Sequence, residues 1–424
     1  MMLLDRPYPM DIWVEGCFGG RLNLDAAREA LGVLALRHPL LTSRVEPFQG
    51  QLCWISTGNE IALSHHPTGA PWPAPPLRPE LGEGARFYLV EQTDGCSLYM
   101  QVHHACADGT ACRFLFHEFA FAYARACDPA WRGGQLPRLE TERLLERGRL
   151  PEVDPSVTSP SLGRIVRDIA QFLFPWPQRL RAEASAVPAQ RPFSKRILEP
   201  EQSALVLARA RRQGGQLNEQ AISDLFATLA DWQRSGSEAR PGRLRILIPI
   251  DLRQLEHRRL PACNRVTFAF LTRAIPECGP DLSHSLSLER DYIRQHRTDL
   301  DFLRSLELVD KWRLLPLFLK FPVSLSSAVL TNMGDVTPLR GFPQEDGGMR
   351  VGDVVCHHIS GATSVRAGTW ASFSLCRMAG RLAIGLRCAN DVIGPSGEAR
   401  LLDNFTDRLL GRYDSQIGER PEQR

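Results

Sequence analysis

The chain has 424 residues, 43% hydrophobic and 23% charged, which excludes a disordered or fibrous protein and leaves room for two lobes of ordinary size. Its net charge of +3 is small; lysine occurs only at 195, 311 and 320, the remaining 48 of 51 basic residues being arginine, and no basic run is interleaved with aromatics, so nucleic acid is not an expected partner. Eleven cysteines without CxxC spacing exclude a zinc site and a disulfide framework and fit reduced thiols in a cytoplasmic protein.

The start, MMLLDRPYPM, has too short an apolar run for a signal peptide. IWVEGCF reads as a strand, and LDAAREALGVLALRHP as an amphipathic helix with Asp25 near its cap. LTSRV and QLCWIS read as further strands. A Pro-rich surface run, HPTGAPWPAPPLRPELGEG, leads to ARFYLVEQ and SLYMQVH, a hairpin about the turn TDG. The helix TACRFLFHEFAFAYARA follows, apolar enough to be buried on more than one side.

From about 128 the pattern weakens. A charged helix near 140–150 and the Arg-rich amphipathic piece LGRIVRDIAQFLFPWPQRL, read as a solvated helix packing across lobes, lie in a long connection. The expected division is a first lobe, residues 1–175, that includes this crossover, and a second lobe, residues 176–424. The second resumes with the strand SKRILE and the helices EQSALVLARARRQ and LNEQAISDLFATLADWQR. The strands RLRILIPIDLR and NRVTFAFLTRAI follow, then a helix-rich stretch to about 320. Its most apolar part, 314–330, is broken by Lys320 and two prolines and so predicts a buried helix and a strand, not a transmembrane segment. The strand SSAVLTNMG and the pair TWASFSLCRMAGRLAIGLRCAN, turning at AG, complete a mixed sheet.

Three His-His pairs occur, and only His103-His104, in QVHHACADGTACRF, is followed at short range by Asp-Gly. Strand alternation puts Leu98, Met100 and Val102 on one face and Tyr99, Gln101 and His103 on the other, so a continued strand points His104 inward and His103 away. An inward imidazole at a strand end suits a general base; a buried, hydrogen-bonded core histidine is the alternative. Asp108 can cap or pair, and Gly109 permits close backbone approach. The pairs His65-His66 and His357-His358 lack that context, the latter reading as a loop before a strand of the second lobe. There is no GxxxxGK[ST], no GxSxG and no metal-ligand spacing.

HHACADG fits HHxxxDG and resembles the signature of the chloramphenicol-acetyltransferase-like superfamily, which includes condensation domains of nonribosomal peptide synthetases and free-standing polyketide-associated and alcohol O-acyltransferases. The opening helix with its His-Pro, LNEQAISDLFATLADW, IPIDLR, NRVTFAFLTR and LTNMG are similar to further family segments in the same order, over nearly the whole chain; Thr331 stands where many relatives have Ser. The resemblance implies an α/β fold of two sandwich lobes of the acetyltransferase type with an active-site tunnel between them. It implies His104 as general base, taking a proton from a small-molecule hydroxyl or amine acceptor as that acceptor attacks an acyl thioester of coenzyme A or of a carrier protein's phosphopantetheine. Asp108 would pair with Arg253, Gly109 would keep the pantetheine path clear, and His103 would be a structural neighbour. Asn332 would bind substrate or the oxyanion, or make a turn with Gly334; Asn264 would be near substrate or a cap. No cofactor is implied to be permanently bound. The expected protein is a free-standing, monomeric acyltransferase with no fused adenylation or carrier segment, the alternative being a non-catalytic or repurposed relative that binds, docks or cyclises.

Overall fold

The computed structural model describes residues 8–49, 51–70, 74–131, 133–148, 176–183, 191–235, 242–279, 282–296, 324–336, 342–345 and 347–412. In chain order the strands are β1 Asp11–Gly19, β2 Ser43–Phe48, β3 Gln51–Ser56, β4 Ala62–His66, β5 Ala85–Gln92, β6 Gly95–His103, β7 Ser194–Leu198, β8 Arg243–Asp251, β9 Val266–Ala274, β10 Ala328–Asp335, β11 Gln344–Glu345, β12 Gly348–Val351, β13 Val354–Ala362, β14 Ala371–Met378 and β15 Arg381–Cys388. The helices are α1 Leu24–Arg37, α2 Gly109–Cys127, α3 Pro200–Arg212, α4 Leu217–Arg234, α5 Ser283–His296 and α6 Pro395–Leu409. None among the described residues is long and apolar enough to cross a membrane.

Two mixed sheets organise the molecule. The first has the order β11-β12-β13-β1-β6-β5-β4 and the second β7-β15-β14-β10-β8-β9, while β2 and β3 form a separate ribbon. Alternation in the central strands explains the layering: Ile12, Val14, Met100, Val102, Phe87 and Leu89 share one face and pack with α1 and α2 in one core. A second core joins α4 and α6 to β8, β10, β14 and β15. Each sheet thus buries a face under helices, the two-layer solution expected of α/β lobes. Local signals hold the elements in place. Asn23, not Asp25, caps α1, its carboxamide oxygen accepting from the Asp25 and Ala26 amides. The AG turn between β14 and β15 puts Ala379 and Gly380 at φ of 49° and 80°, as a tight hairpin requires.

The sheets do not divide at one chain position. Residues 344–362, from the segment expected to build the second lobe, form β11–β13 and pair with β1 in the first sheet, so His357 and His358 lie in a strand and not in a loop. Their short run of small and polar residues, HISGA, masks the strand because both of its faces are covered: Ile359 faces the helical core, and Ser360 bonds Glu15 on the other side. The expected charged helix at 140–150 is a short 3-10 turn, Thr141–Glu146. The amphipathic piece LGRIVRDIAQFLFPWPQRL falls mostly outside the described residues, as does the helix-rich stretch beyond 296.

The other face of the first sheet carries Asp11, Glu15 and Gln101 beside a small aromatic cluster of Trp13, Tyr88 and Tyr99, and it meets the second lobe. Glu15 on β1 accepts from Ser97, Ser360 and Lys195, the last from β7 at 2.6 Å. Asp11 accepts from Gln101 through its carboxylate and from Arg387 of β15 through its carbonyl. At Gly385 a side chain would run into the Gly361 carbonyl, so β15 lies against β13 with no room for a Cβ.

Candidate active site

The strand β6 ends at His103, and His104 begins the turn into α2, its amide donating to the carbonyl of Met10, just before β1, at 2.7 Å. His103 was expected to point away from the interior. It does face away from the helical core, but that side is covered too, and His103 is fully buried, its Nδ1 accepting the Ala105 amide at 3.1 Å to close the turn. His104 is the more open of the two, half-buried at the seam between the sheets.

The His104 ring packs back beside its own carbonyl. A neutral imidazole keeps one of its two ring nitrogens as a proton acceptor. Asn264 Nδ2 donates to the His104 carbonyl at 3.0 Å and lies 3.3 Å from Nδ1, so one carboxamide holds both the turn and the ring. Burial pulls the His104 pKa below the ordinary histidine value, against the opposing pull of its own backbone carbonyl and of the Asp108 charge. The ring is therefore neutral at neutral pH, as a proton acceptor has to be.

Asp108 is the N-cap of α2, its Oδ1 accepting the Ala111 amide at 2.9 Å. The sequence DGTACRF thereby starts the helix and turns the same carboxylate toward the second lobe. Arg253 Nη1 donates to both Asp108 oxygens, at 3.0 and 2.9 Å, and Nη2 to the Cys263 carbonyl. Burial alone would lower the Arg253 pKa, but the adjacent Asp108 charge outweighs it and holds the guanidinium above its usual value. The Arg265 amide also donates to Asp108, at 2.6 Å. This donor escapes sequence reasoning because a backbone N–H leaves no mark in residue type. Arg253, Asn264 and Arg265 all come from the loop 252–265 between β8 and β9, which reaches across the seam.

Gly109 opens α2, where a methyl group would meet only Thr331 Cγ2, at 3.8 Å. The space beside it is open, so a larger side chain there would act by filling it. Thr331 Oγ1, facing this side of β10, is buried with no hydrogen-bond partner among the described residues, and sequence reasoning noted Thr331 only as a departure from Ser. Asn332 is exposed instead: its carboxamide oxygen accepts the Gly334 amide at 2.9 Å, with Gly334 at φ +75°, which is the turn alternative. Both line a surface groove of about 280 Å³ with Asp335, Arg377, Arg211 and Gln216. The structure thus brings His104, Asp108, Gly109, Arg253 and Asn264 together and leaves Asn332 and Gly334 on the groove. Among the described residues no group of His, Cys, Asp and Glu could hold a metal ion.

No family model and no curated protein matches the chain. Solved structures do match. The first condensation domain of the calcium-dependent antibiotic synthetase, in complex with a substrate analogue, superimposes with a TM-score of 0.64 at 17% identity, covering 95% of this chain and 90% of that one. The epimerization domain from the third module of tyrocidine synthetase B gives 0.58 at 16%, over 96% and 92%. Polyketide synthase associated protein 5 from Mycobacterium tuberculosis gives 0.57 at 17%, over 95% of both chains. The chain has the two-lobed fold of these condensation and epimerization domains, in line with the fold expected from the HHxxxDG resemblance.

Proposed function

We propose that the protein is an acyltransferase that moves an acyl group from a thioester to a hydroxyl or amine of a small-molecule acceptor, with His104 as general base. The observation that carries this reading is a half-buried His104 at the seam between the sheets, its turn held by Asn264 and by the Asp108–Arg253 pair from the facing loop. Nε2 takes the acceptor's proton as its oxygen or nitrogen attacks the thioester carbonyl; the tetrahedral intermediate expels the thiolate, and Nε2 returns the proton to it as thiol. The ester or amide and the free thiol are the products, and the enzyme is unchanged. Asp108 and Arg253 hold the turn that carries His104, and the open space beside Gly109 is the place for a thioester-bearing arm. The donor is acyl-coenzyme A or an acyl group on a carrier protein's phosphopantetheine, consistent with a fold found in condensation domains.

Purified protein incubated with coenzyme A and carrier-protein thioesters, with and without amine and alcohol acceptors, releases thiol only with a matched pair. His104→Ala lowers the rate by about 10² to 10⁴-fold. Because burial lowers the His104 pKa, kcat/KM falls only when the pH drops below the ordinary histidine range, near 6.5. The same fold also carries a named epimerization domain, so a different reaction at this site is the second reading. Undiminished thiol release by His104→Ala, or none from any pair, would sink the first.

A further inference from the structure

The loop 252–265 belongs to the second sheet, yet its anchors lie in the first lobe. They include His104, Asp108 and the Glu146 and Arg147 carbonyls, which accept from Arg265 Nη1; another, His38, lies outside the motif. His38 is the C-cap of α1 and is 2% exposed. Its Nδ1 accepts the Ala262 amide at 3.0 Å, and its Nε2 lies 2.9 Å from Glu118 Oε2 on α2. A ring nitrogen that accepts an amide proton bears none of its own, so the proton sits on Nε2 and is donated to Glu118. Arg37 also donates to Glu118, at 2.6 Å. Burial pushes the Glu118 carboxyl up, but the hydrogen bonds from His38 and Arg37 outweigh it and hold it below the usual carboxylate range. The carboxylate fixes the ring, and the ring fixes the loop.

Ala262 is two residues from Asn264 and three from Arg265, so its position sets theirs to within a short span of chain. We propose that His38 is a positioning residue for the reaction: it holds the 262–265 segment so that Asn264 meets the His104 carbonyl and the Arg265 amide meets Asp108. This rests on the reading of His104 as general base. His38 touches no reacting atom. Without it, the Ala262 amide is left buried and unpaired, and the segment has to move to satisfy it. Asn264 then leaves both the His104 carbonyl and the ring beside it. A misplacement of about 1 Å at a reacting group costs on the order of 10²-fold in rate.

Three variants of the full chain separate positioning from simple packing. His38→Asn keeps an acceptor where Nδ1 stands, His38→Gln reaches Glu118 but not Ala262, and His38→Phe keeps neither bond. The expected kcat of His38→Asn is close to that of the unmodified protein, whereas Gln and Phe fall roughly 10- to 100-fold with KM nearly unchanged. Titration of the His104 ring, followed by NMR without substrate, moves toward the ordinary histidine value in Gln and Phe and stays in place in Asn. His38→Gln lowers the rate of Asn264→Ala by less than it lowers that of the unmodified protein, because part of its effect runs through Asn264. An unchanged His104 titration in Gln and Phe overturns the proposal, as does an Asn variant that falls with them. Should Phe fail to fold, Gln carries the test. If the titration responds but no thioester pair turns over in the unmodified protein, His38 still positions the loop and the acyl-transfer reading is the one that fails.

Discussion

Two His-His pairs flank β1, one at the end of β6 and one inside β13, and they put the same residues to opposite use. In β13, His357 sits at a bulge, and His358 faces the second lobe with its Nε2 3.3 Å from Lys195 Nζ. Burial, then the Lys195 charge, pushes the His358 pKa down to about 4. Its lone pair is taken up by an ammonium that also serves Glu15. His104 is likewise neutral but only half-buried, and the group beside its Nδ1, at 3.3 Å, is the uncharged Asn264 carboxamide in place of an ammonium. The difference teaches that neutrality alone does not make a base; an accessible ring with no cation at its nitrogen does.

Substitutions on the two sides test that contrast. The largest effect is expected at the end of β6: His104→Gln, like His104→Ala, abolishes at least 99% of thiol release, about 10²-fold or more, whereas His358→Gln keeps turnover within a few-fold. If His358→Gln is as inactive as His104→Gln, the contrast is wrong. Next comes Arg253→Ala, which leaves Asp108 buried at 1% side-chain exposure without its ion partner and costs about 3–5 kcal/mol in denaturant unfolding. A cost under about 1 kcal/mol would show that the loop does not depend on the pair.

A third test concerns pH. Unfolded His358 takes a proton near the ordinary value of about 6.5, and in the folded state only near 4. Between these values the unfolded chain binds more protons, so stability falls as pH falls through that window, by up to about 3 kcal/mol from this residue. His358→Gln flattens the pH dependence of unfolding between pH 6.5 and 4; an unaltered slope would place the loss elsewhere. The smallest effect belongs to the remaining pair. His65 meets Glu91 at 3.1 Å on the exposed edge of the sheet, so His65→Ala changes stability by less than about 1 kcal/mol and leaves turnover as it was.

Alternation and turn chemistry made most elements legible. The hairpin of β5 and β6, the long buried α2, and the β14–β15 pair follow from period and from TDG and AG. The strand β13 was lost because HISGA has neither alternation nor β-branched density; its two covered faces come from the second lobe and from α2, which no local pattern records. The same cause misjudged His103: parity gives its face but not what covers it. At the site, His104, Asp108 and the Arg253 partner were legible through HHxxxDG and IPIDLR. The Arg265 amide, the Ala262 amide and the unpaired Thr331 hydroxyl were not, because backbone donors and packing vacancies carry no residue signature.

The pairing of β13 with β1 has a consequence for how the chain is made. The first sheet lacks three of its seven strands until residue 362 has been synthesised, so the N-terminal lobe emerges from the ribosome with the outer edge of β1 open. An open edge of that kind invites wrong pairing while the chain grows. Completing it requires contacts more than three hundred residues apart, and nascent chains halted before residue 344 are expected to expose β1 to chaperones or to each other, while chains released after 362 close it.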